Sequence, residues 1–327
     1  MKCYSQKRSF TNFLQKYILV IFSALFLVSC GRGCLQENAP TPKKETVQEK
    51  VSDFELIPKD LNVVAGMNMS KVLSSPIGSK IQDKIPIIAK PFINELDEVS
   101  FAWKAKELGR GPEKILGILS GKFDLQKVEE RLNEYSKKNQ EKYQIEDYKN
   151  HKLYYFQEKP AETLSIVAQK VVIGHKDLVM QVVDLSQQEA EQRKANSILS
   201  QKDLLKQIKS IDTKKMLWFA AIVPEGKNTD DPTNSSSIQA VDLTMDFPDE
   251  LHFELGLTTH SESEAKEMES QALSYQILFG KRLAQQDPAF AKAIEGIKIM
   301  TDSNRLIISF TLNQEQIKSL EKMKLEP

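Results

Sequence analysis

Four acidic or imidazole side chains near Pro248 could bind a divalent ion or act as an acid–base pair. Apolar and polar residues alternate on both sides of this proline, which predicts two antiparallel strands with one solvated face. A three-residue loop between them would place Asp246 opposite His252 and Thr244 opposite Glu254. The polar face would then carry Asp242, Asp246, His252 and Glu254. Since no nucleophile or pocket is predicted beside them, we expect a solvent-exposed, non-catalytic face with an Asp–His pair contributing about 0.2–1 kcal/mol.

The rest of the sequence lacks the spacings that catalytic and metal sites need. It contains no Gly-x-Ser-x-Gly elbow, no phosphate-binding Gly-rich loop, no His-Glu-x-x-His motif and no metal-spaced cysteine pair. The polar loop at 229–237 lacks the glycine and terminal glutamate of a calcium-binding loop. We therefore expect no enzymatic activity, no metal and no cofactor.

The amino-terminal segment has the order of a secretory signal. No Asp or Glu precedes Glu37, and a basic stretch that ends at Lys16 is followed by the apolar run 17–28 and the small Ser29. The uncharged run between Lys16 and Arg32 is 15 residues. A bilayer-spanning helix needs about 20, so a cleaved signal over residues 1–29 is predicted in preference to a transmembrane helix.

The signal ends in Leu27-Val28-Ser29-Cys30, which resembles the lipobox of bacterial lipoproteins. The resemblance implies cleavage between Ser29 and Cys30 and attachment of a diacylglycerol to the Cys30 thiol, often with acylation of the new amino group. Two or three acyl chains, at ~0.8 kcal/mol per buried CH₂, hold a protein on a membrane almost permanently. The resemblance to the lipobox also implies an extracytoplasmic location. Because Gly31 rather than Asp follows the cysteine, the outer membrane is expected in a Gram-negative cell, facing the periplasm or the outside.

The mature chain would keep Cys30 and Cys34, since Cys3 leaves with the signal. This excludes an internal disulfide framework, and Gly31 does not suit a second lipobox before Cys34. Loss of four basic residues leaves 41 basic against 45 acidic residues, so we expect neither nucleic acid as a partner nor a polybasic patch for anionic lipid. Residues 30–53 are polar and rich in Pro, Lys and Glu, which predicts a tether spanning roughly 25–30 Å.

The remaining residues predict an α+β fold in two related halves, 54–195 and 196–327, with antiparallel sheets and amphipathic helices on one face. In the first half we expect strands at 61–69, 99–106, 115–121, 152–157 and 163–173. Helices are expected after Asp124 and near Lys176.

In the second half we expect a helix at 203–211, a central strand at 216–223, the Pro248 hairpin, a long helix from Ser261 and a final hairpin that turns at 302–304. Asn313 and Gln316 have the spacing of a capping box. Both halves have the order strand, strand, helix, strand pair, helix.

The segment from Ile57-Pro58-Lys59-Asp60 through Ser75-Pro76-Ile77-Gly78, together with Val171-Val172-Ile173-Gly174 before a helix, resembles a group of poorly characterised bacterial secreted lipoproteins. This resemblance implies an extracytoplasmic α+β fold and supplies no catalytic residues. We expect a lipid-anchored binding or structural module that contacts another envelope protein. The alternative is a carrier that holds a small apolar ligand or lipid in an enclosed apolar cavity of ~300 Å³ or more between the halves.

Overall fold

The structure is a computed structural model that describes residues 52–75, 92, 95–105, 112–122, 124–139, 142–156, 159–224, 237–284 and 288–317. The strands are β1 (Val63–Asn68), β2 (Leu96–Trp103), β3 (Ile115–Gly121), β4 (Tyr143–Tyr148), β5 (His151–Phe156), β6 (Lys159–Val167), β7 (Lys170–Gly174), β8 (Leu217–Ile222), β9 (Ile238–Asp246), β10 (Leu251–Thr259), β11 (Lys298–Asp302) and β12 (Arg305–Leu312). The helices are α1 (Asp53–Leu56), α2 (Met69–Ser74), α3 (Val128–Asn139), α4 (Lys176–Ser186), α5 (Ala190–Asn196), α6 (Lys202–Ser210), α7 (Glu262–Ala284) and α8 (Pro288–Glu295). The predicted α+β class with antiparallel strands is confirmed.

All twelve strands join one sheet in the order β11-β12-β10-β9-β8-β1-β2-β3-β7-β6-β5-β4. The predicted first half supplies β1–β7 and the second half β8–β12, and they meet where β1 pairs with β8. Counted outward from that junction, the strand order begins β1-β2-β3-β7 in the first half and β8-β9-β10-β12 in the second. In both halves the last strand of the half therefore pairs with the third. That these halves share an origin stays a prediction.

Helices cover both faces of the sheet, so the prediction of helices on one face is wrong. Leu116 and Ile118 of β3 point to a first face, where they pack with Val179 of α4 and Leu204 of α6. Leu119 of the same strand points to the second face, where it packs with α3. The second face also carries α7 and α8 over the strands of the second half. Strands such as β3, β7 and β8 are apolar at successive positions because both of their faces are buried.

The centre of the first face is closed by an aromatic contact. The ring of Trp218 in β8 lies over Gly66 of β1, and the ring of Phe54 in α1 meets it edge-on with centroids 6.0 Å apart. A Cβ atom at Gly66 would come within 2.1 Å of the indole. The glycine therefore permits the close approach of this large side chain to the backbone at the junction of the halves.

Several predicted elements are confirmed and one is wrong. The side chain of Asp124 accepts a hydrogen bond from the amide of Gln126 before α3, and β8 lies in the middle of the sheet as expected. The predicted strand at 163–173 is instead the hairpin β6–β7, because Ala168 and Gln169 take positive φ values of 50° and 62° and reverse the chain. Strand β4 was not predicted and pairs with β5 at one edge of the sheet.

Candidate functional site

Among the described residues, no helix covers the first face over part of the second half. There, side chains of β9, β10 and β12 line a depression of about 490 Å³ that opens to solvent. We call this region the open polar surface; it consists of Thr244, Asp246, His252, Glu254, Ser309 and Thr311. Lys215 and Lys298 lie at its rim. Within the described residues, this surface brings together Asp246, His252 and Glu254, three of the four residues of the predicted polar face.

The predicted register of the Pro248 hairpin is confirmed. Asp246 pairs with His252 and Thr244 with Glu254 across β9 and β10. The side chains nevertheless contact other partners. Nδ1 of His252 lies 3.0 Å from Oγ1 of Thr311, which lies in β12. Asp246 accepts a hydrogen bond from the amide of Met216 at 3.2 Å. Its carboxylate also forms two ion pairs, with Lys71 and with Lys215, each at 3.5 Å. Among the described contacts, no hydrogen bond joins the side chains of the paired Asp246 and His252.

Asp242 departs most from the sequence prediction, because its side chain is only 1% exposed. The guanidinium of Arg305 in β12 donates two hydrogen bonds to this carboxylate, at 2.5 Å and 3.2 Å. Burial raises the pKa of Asp242, although the hydrogen bonds and charge of Arg305 act in the opposite direction. The expectation of a fully exposed face is therefore wrong at Asp242, and Asp246 is also mostly buried at 16% exposure.

Gly256 explains why the arginine can cover this carboxylate. It pairs with Asp242 in the sheet, and a Cβ atom there would lie 2.5 Å from both the Arg305 guanidinium and the Asp242 carboxylate. The missing side chain leaves the space that the guanidinium fills. Nη2 of Arg305, which donates to Asp242, also lies 3.5 Å from the carboxylate of Glu254, whose side chain is 46% exposed. An ion-paired strip thus runs from the buried Asp242 to the exposed part of the surface.

Chemically, this arrangement suits recognition by charge and hydrogen bonds better than proton transfer. Among the described residues, no three His, Cys, Asp or Glu side chains lie close enough together to hold a metal ion. The carboxylates of Asp242 and Asp246 already accept hydrogen bonds, whereas His252, Glu254 and the hydroxyl groups remain accessible. A ligand on the open polar surface would therefore contact hydroxyls, one imidazole and charged groups of both signs.

A second polar cluster is buried beneath α1 on the first face. Lys170 of β7 forms an ion pair with Asp53 and donates a hydrogen bond to Oγ of Ser120 at 3.0 Å. Ser100 donates to the other oxygen of Asp53 at 2.9 Å. A serine beside a lysine can form a nucleophile and base. Here, however, Ser120 accepts a hydrogen bond from Lys170 and donates its own to Asp53 at 3.3 Å, so the serine proton does not point at the lysine. The cluster instead ties α1 to the sheet, and no pattern in the sequence predicted it.

Leu27, Ser29 and Cys30, together with the predicted signal and tether, lie outside the described residues, and the lipid-attachment site stays a prediction. Within the described residues, no helix combines the length and apolar character that crossing a bilayer requires.

Comparisons with known proteins give structural neighbours only. No family model matches the chain, and no curated protein matches it. Crystal form I of TP0453 is similar with a TM-score of 0.46 and 12% identity, over 83% of this chain and 97% of that one. Crystal form III of TP0453 gives a TM-score of 0.43 and 13% identity, over 84% and 98% of the two chains. Likeness of this degree carries no inference about activity or ligand.

Proposed function

We propose that this chain is a lipid-anchored, extracytoplasmic lipoprotein that acts as a binding or structural module of the cell envelope. In this proposal the Cys30 thiol carries the diacylglycerol, and the predicted tether holds the folded part near the membrane, which is the outer membrane in a Gram-negative cell. The folded part binds another envelope protein, takes no cofactor and catalyses no reaction. Nucleic acid is not a partner.

The observation that supports a binding role is the open polar surface. Central strands such as β3, β7 and β8 are buried on both faces, but here hydroxyl, imidazole and charged groups of three neighbouring strands line a depression that opens to solvent. Polar side chains on a rigid sheet are held in a fixed pattern, which favours specific recognition of a partner. A protein surface with complementary charges and hydrogen-bonding groups would fit this pattern.

The alternative, a carrier of an apolar ligand between the halves, has less support. It needs an enclosed apolar cavity, yet on the first face the junction of β1 and β8 is filled by Trp218 and Phe54. The open polar surface is likewise unsuited to an apolar molecule.

The anchor is tested by intact mass of the mature protein purified from membranes. We expect the wild-type chain to begin at Cys30 and to carry acyl mass, and Cys30→Ser to lack it. Cys34→Ser is the matched control, since it removes the neighbouring thiol and should leave the acyl mass unchanged. A wild-type chain that begins elsewhere and carries no acyl mass would disprove the anchor.

The binding role is tested with variants of the accessible side chains. His252→Ala with Glu254→Ala should weaken capture of a stoichiometric partner from detergent-solubilised membranes without lowering the melting temperature. Removal of two exposed side chains at Lys137 and Lys138, on the second face, should leave capture intact. Equal capture by all variants would place binding elsewhere, and a co-purifying lipid in a stoichiometric amount would favour the carrier.

A further inference from the structure

The outer side of helix α6 forms a stripe of lysines on the first face. Leu204, Gln207 and Ile208 are buried against the sheet, whereas Lys202, Lys206 and Lys209 are exposed. At ~100° per residue, the three lysines fall within a sector of about 60° opposite the buried side. The ammonium groups are therefore the outermost charges of this helix. The overall charge of the sequence predicted no polybasic patch, but α6 presents a small one here.

These charges are not neutralised by neighbouring side chains. Within the described residues, none of the three ammonium groups has an ion pair, whereas Lys266 on α7 pairs with Glu262 at 2.6 Å and Lys149 pairs with Asp184 at 2.7 Å. Asp203 is the acidic residue of α6 and lies on its flank, about 100° around the helix from Lys202. In the nearby α5 the charges balance, since Glu189 at its cap and Glu191 are matched by Arg193 and Lys194.

The chain enters the folded part on the same face. Ser52, the first described residue, caps α1, and α1 packs on the first face through Phe54 and Asp53. The start of α6 is fixed to this segment, because the side-chain amide of Gln201 donates to the carbonyl groups of Lys59 and Leu61 at 2.6 Å and 2.7 Å. A tether that ends at Ser52 would thus bring this face, with α6, towards the membrane.

We propose that α6 docks on anionic phospholipid headgroups of the membrane that holds the anchor. The proposal rests on the lipid anchor at Cys30 proposed above and adds the orientation of the folded part. The lysine ammonium groups would lie among lipid phosphates, while the half-buried Leu205 beside them would face the headgroup boundary. Each lysine near an anionic surface favours the docked state roughly fivefold, so three favour it on the order of a hundredfold at low salt.

The test uses the acylated mature protein reconstituted into vesicles of phosphatidylcholine, with or without phosphatidylglycerol. Cys34→Ser removes the spare thiol, and Ser210→Cys, on the exposed side of α6, provides a reporter for a soluble maleimide. We expect labelling of Ser210→Cys to slow on the order of a hundredfold when phosphatidylglycerol is present, and to recover at high salt. A reporter at Ser270→Cys, exposed on α7 of the second face, should label equally on both vesicles.

Charge variants separate docking by α6 from general attraction. The triple variant Lys202→Gln, Lys206→Gln, Lys209→Gln should abolish the protection of Ser210→Cys. Its matched control, Lys127→Gln, Lys137→Gln, Lys138→Gln, removes equal charge around α3 on the second face and should retain the protection. Equal loss in both triple variants would overturn the proposal, as would equal labelling of Ser210→Cys on the two vesicle types.

Flotation with phosphatidylcholine alone tests the anchor separately. A protein that fails to float there refutes the anchor and with it the docking, whereas one that floats without protecting Ser210→Cys refutes the docking alone. If native envelope membranes protect the reporter but phosphatidylglycerol does not, the partner of α6 is an acidic protein and the lipid proposal is wrong.

Discussion

Gly256 determines the environment of the Asp242 carboxyl group, which lies opposite it on the neighbouring strand. The alternation of polar residues in β9 places Asp242 correctly on the polar face, but alternation says nothing about what lies above that face. An isolated glycine in a strand often marks a close approach of another group, here the guanidinium of Arg305. This was the signal in the sequence that could have indicated burial of Asp242.

Removal of one partner of this buried ion pair should therefore destabilise the protein strongly. We expect Arg305→Met to lower the free energy of unfolding by about 3–5 kcal/mol at neutral pH, because it leaves the Asp242 carboxylate buried without its cation. The loss should shrink in acid: the pKa of Asp242 is raised in the folded state, so the folded protein binds this proton more tightly than the unfolded chain. The effect disappears below the ordinary aspartate pKa of ~3.9 and is largest above the folded pKa. Urea unfolding at a series of pH values measures it.

Two further variants make this measurement specific. The double variant Arg305→Met, Asp242→Asn should recover most of the lost stability, since no charge is then left buried. Glu254→Gln removes the exposed carboxylate near the same arginine and should change stability by less than about 1 kcal/mol. Equal stability of Arg305→Met and the wild type would mean that solvent reaches Asp242.

At the scale of elements, apolar periodicity and capping residues predicted most helices and strands. The amide of Asn313 donates to the side chain of Gln316, and the amide of Gln316 donates to the side chain of Asn313, both at 2.9 Å, as the capping box requires. The faces on which the helices pack could not be predicted, because a helix with one apolar stripe fits either side of a sheet whose strands are apolar on both.

The turns of two hairpins escaped prediction for a related reason. Positive φ angles in two-residue loops favour Asn-Gly and similar pairs, but the loop of β6–β7 is Ala168-Gln169 and that of β4–β5 is Lys149-Asn150, with φ values of 47° and 64° at the latter. Three of these four residues are not typical of left-handed backbone. The sequence therefore carried almost no signal for either turn.

We expect Ala168→Asn to stabilise the protein by about 0.5–1 kcal/mol, because asparagine adopts φ near 50° at lower cost than alanine. Asn150→Ala makes the opposite exchange in the other hairpin and should destabilise by a similar amount. The midpoints of urea unfolding, at unchanged slope, measure both effects. A destabilising Ala168→Asn would show that the turn favours alanine for a contact other than its backbone conformation.

At the scale of the whole molecule, a single junction between β1 and β8 unites the two halves into one sheet. We expect Gly66→Ala to lower the free energy of unfolding by about 1–3 kcal/mol, since the new methyl group would displace the ring of Trp218. Near-ultraviolet circular dichroism should report the displaced indole.

Gly280→Ala is the matched control for this junction. This glycine lies inside α7, and a Cβ atom there would meet its nearest atom, in Ile294, at 3.6 Å. Alanine favours the helical backbone by up to about 1 kcal/mol, so this substitution should stabilise the protein. A Gly66→Ala variant as stable as the wild type would mean that Trp218 can move aside without cost.

The same junction dictates when the chain can complete its folding. Met67 in the first strand pairs with Leu217, which follows 150 residues later. Until β8 has formed, β1 pairs with β2 on one side and has an open edge on the other. Contacts so distant along the chain slow folding, and an open strand edge invites pairing with other molecules. Such a chain needs its second half to fold soon after the first, or a chaperone that covers the unpaired edge of β1 until β8 has formed.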